Sequence, residues 1–180
     1  MNDGLIPRRY AKALYKLALE NGDTEQIYEL LKPISKGLRA LDEMKRVLIN
    51  PHIPAEDKGR MMMQLVGAKP GSSLDKFILL VIRNNRAEFL RKIALAYVLL
   101  YREEHNIAKV VIKSAVELPD EKINKIIDVV KQRLGDDATL EVETEIDPEL
   151  IGGFTVKIGD LLLDASVKNE LNQLRLKLIS

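Results

Sequence analysis

The sequence predicts a mainly α-helical protein, in which a six-helix bundle at residues 1–105 precedes a small α/β domain at residues 106–180. Apolar residues recur at helical spacing through the first part, and stop signals separate the periodic segments. From Ile107 the apolar residues alternate with polar ones, which is typical of strands. With 180 residues, of which 46% are hydrophobic, the chain can bury enough core for two domains.

The first two helices are predicted from the residues at their ends. Pro7 suits the first turn of helix one, and Gly22 suits its C-terminal stop. Asp23-Thr24-Glu25-Gln26 has the spacing of a capping box that opens helix two, and Pro33 predicts a kink or break within it. The apolar stripe of helix one contains Tyr10, Ala13, Leu14, Leu17 and Ala18. The stripe of helix two contains Ile27, Leu30, Leu31, Ile34, Leu38 and Leu41.

Four further helices complete the predicted bundle. Proline, glycine and asparagine separate them, because these residues end helices or open new ones. The expected bounds are Asp42 to Leu48, Pro54 to Gly67, Ser72 to Arg83, and a sixth helix after Asn84-Asn85 that carries Leu90, Ile93, Ala94, Tyr97 and Tyr101.

The second domain is predicted to contain a strand, a helix, a strand, a hairpin and a final helix. Pro119 opens the first of these helices, Gly159-Asp160 forms the hairpin turn, and Asp164 and Ser166 are N-cap types before the last helix. The first strand carries Ala108, Val110, Ile112 and Val116 on one side. If the first two strands are neighbours, one solvated face carries Lys109, Lys113, Glu141, Glu143 and Glu145.

Composition and charge exclude several classes of function. Lys and Arg total 28 against 27 for Asp and Glu, so a formal charge of +1 gives no net field that attracts nucleic acid. The absence of cysteine excludes disulfides and thiolate chemistry. The N-terminus lacks a leader pattern, and no segment reaches the roughly 18 continuous apolar residues that span a bilayer. We therefore expect no direct membrane insertion.

No group of residues has the pattern of a catalytic or ligand site. His52 and His105 are not in a metal-binding spacing. Gly152-Gly153 leads into a strand and lacks a following Lys-Ser or Lys-Thr pair, which favours a tight bend over a phosphate loop. Met61-Met62-Met63 is expected to fill the core with one or two of its side chains. We predict no catalytic residue, no cofactor and no metal.

Four segments, spread from end to end, carry a family resemblance. Ile151 to Val167 contains Ile-Gly-Gly-Phe, Val-Lys-Ile-Gly-Asp and Leu-Asp-Ala-Ser-Val in that order. This run resembles the C-terminal signature of the delta subunit of F-type ATP synthases, called oligomycin-sensitivity-conferring protein in mitochondria. Arg9 to Leu14, Asn50 to Pro54 and Asn84-Asn85-Arg86 are similar to three other motifs of that family. Asn85 replaces the family's glycine, but it tolerates a left-handed backbone.

The resemblance implies a non-catalytic stator subunit of the proton-translocating ATP synthase. Such a subunit links the catalytic head to the peripheral stalk within a hetero-oligomeric complex, on the cytoplasmic face of the energy-transducing membrane. Its helical domain is expected to hold the N-terminal helix of an alpha subunit in a groove between its first and fifth helices. Its second domain is expected to bind the C-terminal region of the b subunit.

Twelve residues are expected at these two contacts. The alpha-binding groove is expected to contain Tyr10, Ala11, Leu14, Tyr15, Phe77, Leu80, Val81 and Asn84. The b-subunit contact is expected to contain Val167, Leu171, Leu174 and Leu178, together with the hairpin.

Three alternatives accompany this interpretation. The apolar run Phe77 to Ile82 either lies in the centre of the bundle or is partly covered by another chain, and the resemblance favours the second. Most leucines of the last helix are expected to seat it on its own sheet. An RNA-binding module is the rival function, although Phe154 is the only aromatic residue of the second domain. A small enzyme is the least supported rival, because no nucleophile or cofactor fingerprint is present.

Overall fold

The computed structural model describes residues 4–37, 39–135 and 138–179. Its contacts divide the chain into two compact units, Met1–Glu103 and Glu104–Ser180, which we call the helical unit and the sheet unit. None of the described helices is both long and apolar enough to cross a membrane.

The described residues of the helical unit form a succession of α-helices, with a short 3-10 turn at Ala87–Phe89 before the last. The helices are α1 (Leu5–Asn21), α2 (Thr24–Ser35), α3 (Arg39–Ile49), α4 (Ala55–Val66), α5 (Ser73–Arg83) and α6 (Leu90–Glu104).

Most helix ends follow the expected local chemistry. Gly22 and Gly67 adopt the left-handed conformation that ends α1 and α4. The Ser72 hydroxyl accepts a hydrogen bond from the Asp75 N–H at 3.3 Å and so caps α5. Asn85 has a φ of 56°, so it occupies the left-handed conformation that asparagine tolerates.

The segment between α1 and α3 corrects two sequence expectations. Asp23 makes no side-chain capping bond, and its Oδ1 is buried without a hydrogen-bond partner among the described residues, so the capping box does not form. The break expected at Pro33 takes the form of a helix end at Ser35, two residues further on. The third helix, which was expected to begin at Asp42, begins earlier. A separate helix already begins at Arg39. Leu38 lies outside the described residues.

The core of the helical unit draws buried side chains from all the helices from α1 to α6. Tyr97 of α6 is fully buried, and its hydroxyl donates to the Thr24 carbonyl at 3.1 Å. Burial raises the pKa of this phenol, and the nearby Asp23 carboxylate raises it further. Met62 and Met63 are buried, as expected, while Met61 is exposed.

For the apolar run of α5, the sequence left open a central position in the bundle or a partly uncovered one, and the helix has features of both. Most of its apolar run is buried, with Phe77, Ile78 and Val81 at 6%, 2% and 0% exposure. Leu80, in contrast, is 51% exposed. The helix is therefore central to the core on most sides and open to solvent on one.

The sheet unit contains a four-stranded sheet in the order β2-β1-β3-β4. The β1 and β2 strands pair in parallel, which requires a crossover, and the other neighbours are antiparallel. The elements are β1 (Ile107–Ser114), α7 (Asp120–Leu134), β2 (Thr139–Ile146), β3 (Gly153–Ile158), β4 (Leu161–Ser166) and α8 (Val167–Ile179).

The expected row of opposite charges forms on one face of the sheet. Lys109 pairs with Glu143 at 2.9 Å, and Lys113 pairs with Glu145 at 2.8 Å. The hydrogen bond from Lys113 to Glu145 raises the pKa of that lysine. Because these side chains face solvent, the pairs contribute little stability and mainly define the polar face.

The apolar face of the sheet supports only a small core. Its buried residues are Val110, Ile112, Val130 and Val156. Val116, which was expected on this face, lies beyond the end of β1 and is 69% exposed. The sheet unit therefore buries few large side chains among its described residues.

Gly153 allows β3 to begin against the end of β4. Its φ is +73°, and a Cβ there would lie 2.1 Å from the Ala165 carbonyl oxygen. This glycine makes a close backbone approach at a bend, as predicted for the glycine pair.

Replacing Gly153 with alanine should therefore destabilise the sheet unit strongly. The left-handed backbone costs about 1 to 2 kcal/mol for alanine, and the clash raises the total loss to roughly 3 kcal/mol. Urea unfolding followed by hydrogen exchange of the β3 and β4 amides measures this loss. Gly159→Ala is the matched control, since Gly159 also has a positive φ but has nothing within 4 Å of a Cβ. Equal losses in the two variants would refute the steric explanation.

Candidate interaction surfaces

An open groove of 420 Å³ lies between α1 and α5. We call it the α1–α5 groove. It is lined by Arg9, Tyr10, Ala13, Leu17, Lys76, Phe77 and Leu80.

The groove exists because α1 has two apolar faces. Leu14 and Ala18 point into the core, with 0% exposure each, whereas Tyr10, Ala13 and Leu17 face the groove. The groove residues are separated by three and four positions, so they lie on one side of the helix. One helix thus supplies both core and surface contacts.

Aromatic packing fixes the floor of the groove. The Tyr10 and Phe77 rings meet edge to face, with centroids 6.1 Å apart and an interplanar angle of 73°. The Asn84 side-chain amide donates a hydrogen bond to the Tyr10 hydroxyl at 3.2 Å. This bond joins the C-terminal end of α5 to α1, so the Tyr10 ring is held in place.

Four of the eight predicted groove residues lie at this surface. Tyr10, Phe77 and Leu80 line the groove itself. Asn84 lines the adjoining hollow beside Leu80, next to Arg83.

The other four predicted residues lie elsewhere. Ala11, Leu14 and Val81 are buried, with 1%, 0% and 0% exposure. Ala11 faces the α6 side of α1 and not the α5 side. Tyr15 packs against Tyr97 of α6, with ring centroids 5.9 Å apart. None of these four lines the α1–α5 groove.

Sequence reasoning missed four lining residues, namely Arg9, Ala13, Leu17 and Lys76. The signal for two of them was present, because Ala13 and Leu17 share a helical face with Tyr10. They were assigned to the core stripe, which the sequence does not separate from a second apolar face. Arg9 and Lys76 are charged, so the helical spacing of apolar residues could not identify them.

Helix α8 presents its predicted contact residues to solvent. Val167, Leu171, Leu174 and Leu178 are 37%, 51%, 56% and 86% exposed. The expectation that most of these leucines seat the helix on its own sheet was therefore wrong. Every residue from Glu170 to Leu178 is exposed, so most of the described length of α8 is not covered by the rest of the chain.

The start of α8 is held by several polar contacts. The Ser166 hydroxyl accepts from the Asn169 N–H at 3.2 Å, as expected for an N-cap, and the Val167 N–H donates to the Gly152 carbonyl at 3.0 Å. Asp164 accepts a bond from the Ser166 N–H at 2.9 Å. These contacts fix the direction in which the helix leaves β4.

Asp164 should titrate below the ordinary range of an aspartate. Hydrogen bonds from the Ser166 hydroxyl and N–H lower its pKa, since they stabilise the carboxylate. Its stabilising contribution is therefore complete above the ordinary aspartate pKa and is lost as pH falls through the lowered value. Carboxyl-detected NMR titration measures the midpoint, which should rise in Ser166→Ala. An unchanged midpoint in that variant would contradict this assignment.

A third apolar surface lies beside α7, over the β3–β4 hairpin. It encloses a cavity of 250 Å³ that includes Val129 of α7, Phe154 and Val156 of β3, and Leu161 and Leu163 of β4. Phe154 is half-buried there. The described sheet unit therefore exposes no aromatic platform for stacking bases, which argues against the RNA-binding alternative.

The described residues contain no group of three or more His, Cys, Asp or Glu side chains that could hold a metal ion. The strongly shifted phenol of Tyr97 belongs to the helical core and makes a structural hydrogen bond.

Comparisons with known proteins agree with these features. Residues 6–178 match the family described as ATP synthase delta (OSCP) subunit. ATP synthase subunit delta of Phocaeicola vulgatus is 34% identical over 178 residues, which cover 98% of this chain and 95% of the relative. The subunit of the same name from Acaryochloris marina is 36% identical over 175 residues, with 97% and 94% coverage.

A solved structure shares the fold along the chain. It is a chain of the Toxoplasma gondii mitochondrial ATP synthase hexamer, with a TM-score of 0.65, 22% identity and 97% of each chain covered. At this identity the likeness concerns the fold alone. The family match and the relatives above 30% identity, which span nearly the whole sequence, show that the chain belongs to the ATP synthase delta (OSCP) subunit family.

Proposed function

We propose that the α1–α5 groove binds the amphipathic N-terminal helix of an alpha subunit, while α8 and the β3–β4 hairpin bind the C-terminal region of the b subunit. Members of this family are non-catalytic subunits of a hetero-oligomeric ATP synthase. In that role the chain is a stator subunit, which links the catalytic head to the peripheral stalk. The α1–α5 groove provides the attachment to the catalytic head, and α8 with the hairpin provides the attachment to the peripheral stalk.

The exposure of Leu80 carries the first half of the proposal. This leucine is 51% exposed and lies beside the buried Phe77 ring. It is on the solvent-facing side of α5, whose other apolar residues are mostly buried in the core. A helix laid between α1 and α5 would cover it, as in helix-in-groove recognition. Arg9 and Lys76 also line the groove and complement acidic side chains on such a helix.

The small core of the sheet unit supports the second half. Leu161 and Leu163 of the hairpin are 46% and 44% exposed, and the leucines of α8 are more exposed still. Large exposed apolar areas on a folded domain mark protein interfaces. The b subunit is the partner that the family resemblance implies for this unit.

Two separate apolar surfaces suit the mechanical demand on a stator. The chain must remain attached while the central rotor turns, so dissociation has to be slow at both ends. Packed apolar anchors lower dissociation rates more effectively than exposed charge pairs do. We place the chain at the periphery of the energy-transducing membrane, on its cytoplasmic face, as part of the assembled enzyme.

Size-exclusion chromatography with the catalytic head tests the head attachment. The chain should co-migrate with intact head and should elute separately when the N-terminal segments of the alpha subunits are removed. Co-migration that persists without those segments would overturn the groove assignment.

A further inference from the structure

We propose that the sheet unit binds a small molecule, namely a single-chain amphiphile with an anionic headgroup. The site is the cavity of 250 Å³ between α7 and the β3–β4 hairpin, which we call the α7–hairpin cavity. This inference goes beyond the proposed function and does not depend on it, because the ligand is not a subunit of the enzyme.

The α7–hairpin cavity exists because α7 covers only part of one face of the sheet. Helix α7 packs through Val130 on the core residues of β1 and β3. The β4 strand forms the edge of the sheet, and its register places Leu163 opposite Val156 and Leu161 opposite Ile158. Both leucines therefore share the face on which α7 packs. They are nevertheless 44% and 46% exposed, so a space remains between β4 and the helix.

The size and lining of the cavity suit one alkyl chain. Apart from two basic side chains, the lining residues are valine, isoleucine, leucine and phenylalanine. The volume of 250 Å³ lies between the roughly 150 Å³ of a cavity that binds benzene and the roughly 300 Å³ at which sites for drug-sized molecules begin. A medium-length alkyl chain fits this space, whereas the two chains of a phospholipid do not.

The charged lining residues specify the headgroup. They are Lys125 and Arg133, which are both exposed and lie two turns apart on α7. Such side chains lay their apolar stems along a surface and keep the charged group at the water boundary. No acidic side chain lines the cavity within the described residues. A carboxylate at the mouth of the cavity would therefore meet positive charge, and arginine can hold it with two parallel hydrogen bonds.

The geometry favours a small ligand over a helix from another protein. A helix with its side chains measures about 10 Å across. A partner helix would therefore lie over the mouth of a 250 Å³ cavity without filling it. An alkyl chain, in contrast, enters the space and removes its apolar lining from water.

Isothermal titration of the full-length chain with decanoate, below its micelle-forming concentration, tests this inference. One decanoate should bind per chain. Octanoate should bind about 15-fold more weakly, because each buried methylene group strengthens binding about fourfold. Decylammonium, which carries a positive headgroup, should bind at least tenfold more weakly than decanoate. Absence of decanoate binding would overturn the proposal, and equal affinities for decanoate and decylammonium would overturn the anionic headgroup.

Variants of the lining locate the site. Val129→Trp should fill the cavity and weaken decanoate binding at least tenfold, and Val129 is 62% exposed, so the chain tolerates the larger side chain. Val116→Trp is the matched control, because Val116 is 69% exposed and does not line the cavity. Lys125→Glu combined with Arg133→Glu should weaken decanoate binding about tenfold and leave the binding of uncharged decanol unchanged. Unchanged decanoate affinity in a folded Val129→Trp chain would overturn the assignment to this cavity.

Two further measurements separate this inference from the attachment to the peripheral stalk. Leu171→Asp combined with Leu174→Asp changes α8, which does not line the cavity, so decanoate affinity should stay the same. Loss of decanoate binding in that variant would contradict the location of the site. A chain that binds decanoate but no b fragment would support this inference and contradict only the proposed function. A chain that ignores decanoate, and whose Val129→Trp variant loses the b fragment, would assign the cavity to the stalk and overturn the inference.

Discussion

Leu80→Asp should weaken binding of the alpha N-terminal peptide to the α1–α5 groove by about 100-fold or more. The substitution costs the free protein little, because Leu80 is 51% exposed and sits on the open side of α5. In the complex, however, the peptide would cover this position. Lost apolar burial and an unpaired buried carboxylate together cost about 3 kcal/mol or more, and each 1.4 kcal/mol corresponds to tenfold in affinity.

Peptide titration by calorimetry measures this change at the α1–α5 groove. Leu19→Asp introduces the same charge on an exposed leucine of α1 and should leave the affinity within about threefold, because isolated surface substitutions have small effects. A Leu80→Asp chain that is folded and binds with wild-type affinity would exclude this groove as the contact.

Leu171→Asp combined with Leu174→Asp should weaken binding of the soluble C-terminal region of the b subunit by about 1,000-fold or more. Both leucines are more than half exposed, at 51% and 56%, so the sheet unit itself should remain folded. In an interface each substitution removes an apolar anchor and introduces a charge without a partner. Two such changes cost on the order of 5 kcal/mol, which weakens a nanomolar complex to a Kd of several micromolar.

The opposite face of α8 provides the control for this experiment. Leu176 lies about 180° around the helix from Val167, since nine residues at 3.6 per turn make two and a half turns. It is 69% exposed, so Leu176→Asp is as tolerable to the free chain as the other changes. Equal loss of b binding in Leu176→Asp would show that α8 does not bind through the predicted face.

The sequence predicted those features that depend on neighbouring residues. The glycine ends of α1 and α4, the Ser72 cap and the left-handed Asn85 each follow from one or two side chains and the backbone beside them. The order of elements in the sheet unit was predictable for the same reason. The change of hydrophobic period at Ile107 is a local signal.

The groove residues were harder to predict because one step along a helix turns the side chain by 100°. Ala11 and Ala13 are chemically identical and two positions apart, yet one is buried in the core and the other lines the groove. The helical spacing of apolar residues shows that a residue belongs to an apolar face of its helix. Which of two apolar faces it joins depends on where α5 and α6 pack, and that is a tertiary property.

Helix α8 shows a related limit. Leucines at helical spacing predict an apolar stripe, whether the stripe packs on the same chain or on another protein. The difference lies in the contacts at the start of α8, where Gly152, Asp164 and Ser166 fix its direction. The individual residues were visible in the sequence, but their combined effect on the path of the helix was not.

Simultaneous attachment at both ends is the central claim of this account, and light scattering coupled to size exclusion measures it directly. Catalytic head and the soluble C-terminal region of the b subunit should elute separately from each other. Adding the chain should produce one species whose mass includes all three components. If the chain binds the head and the b fragment only in mutually exclusive complexes, the claim that it links them is wrong.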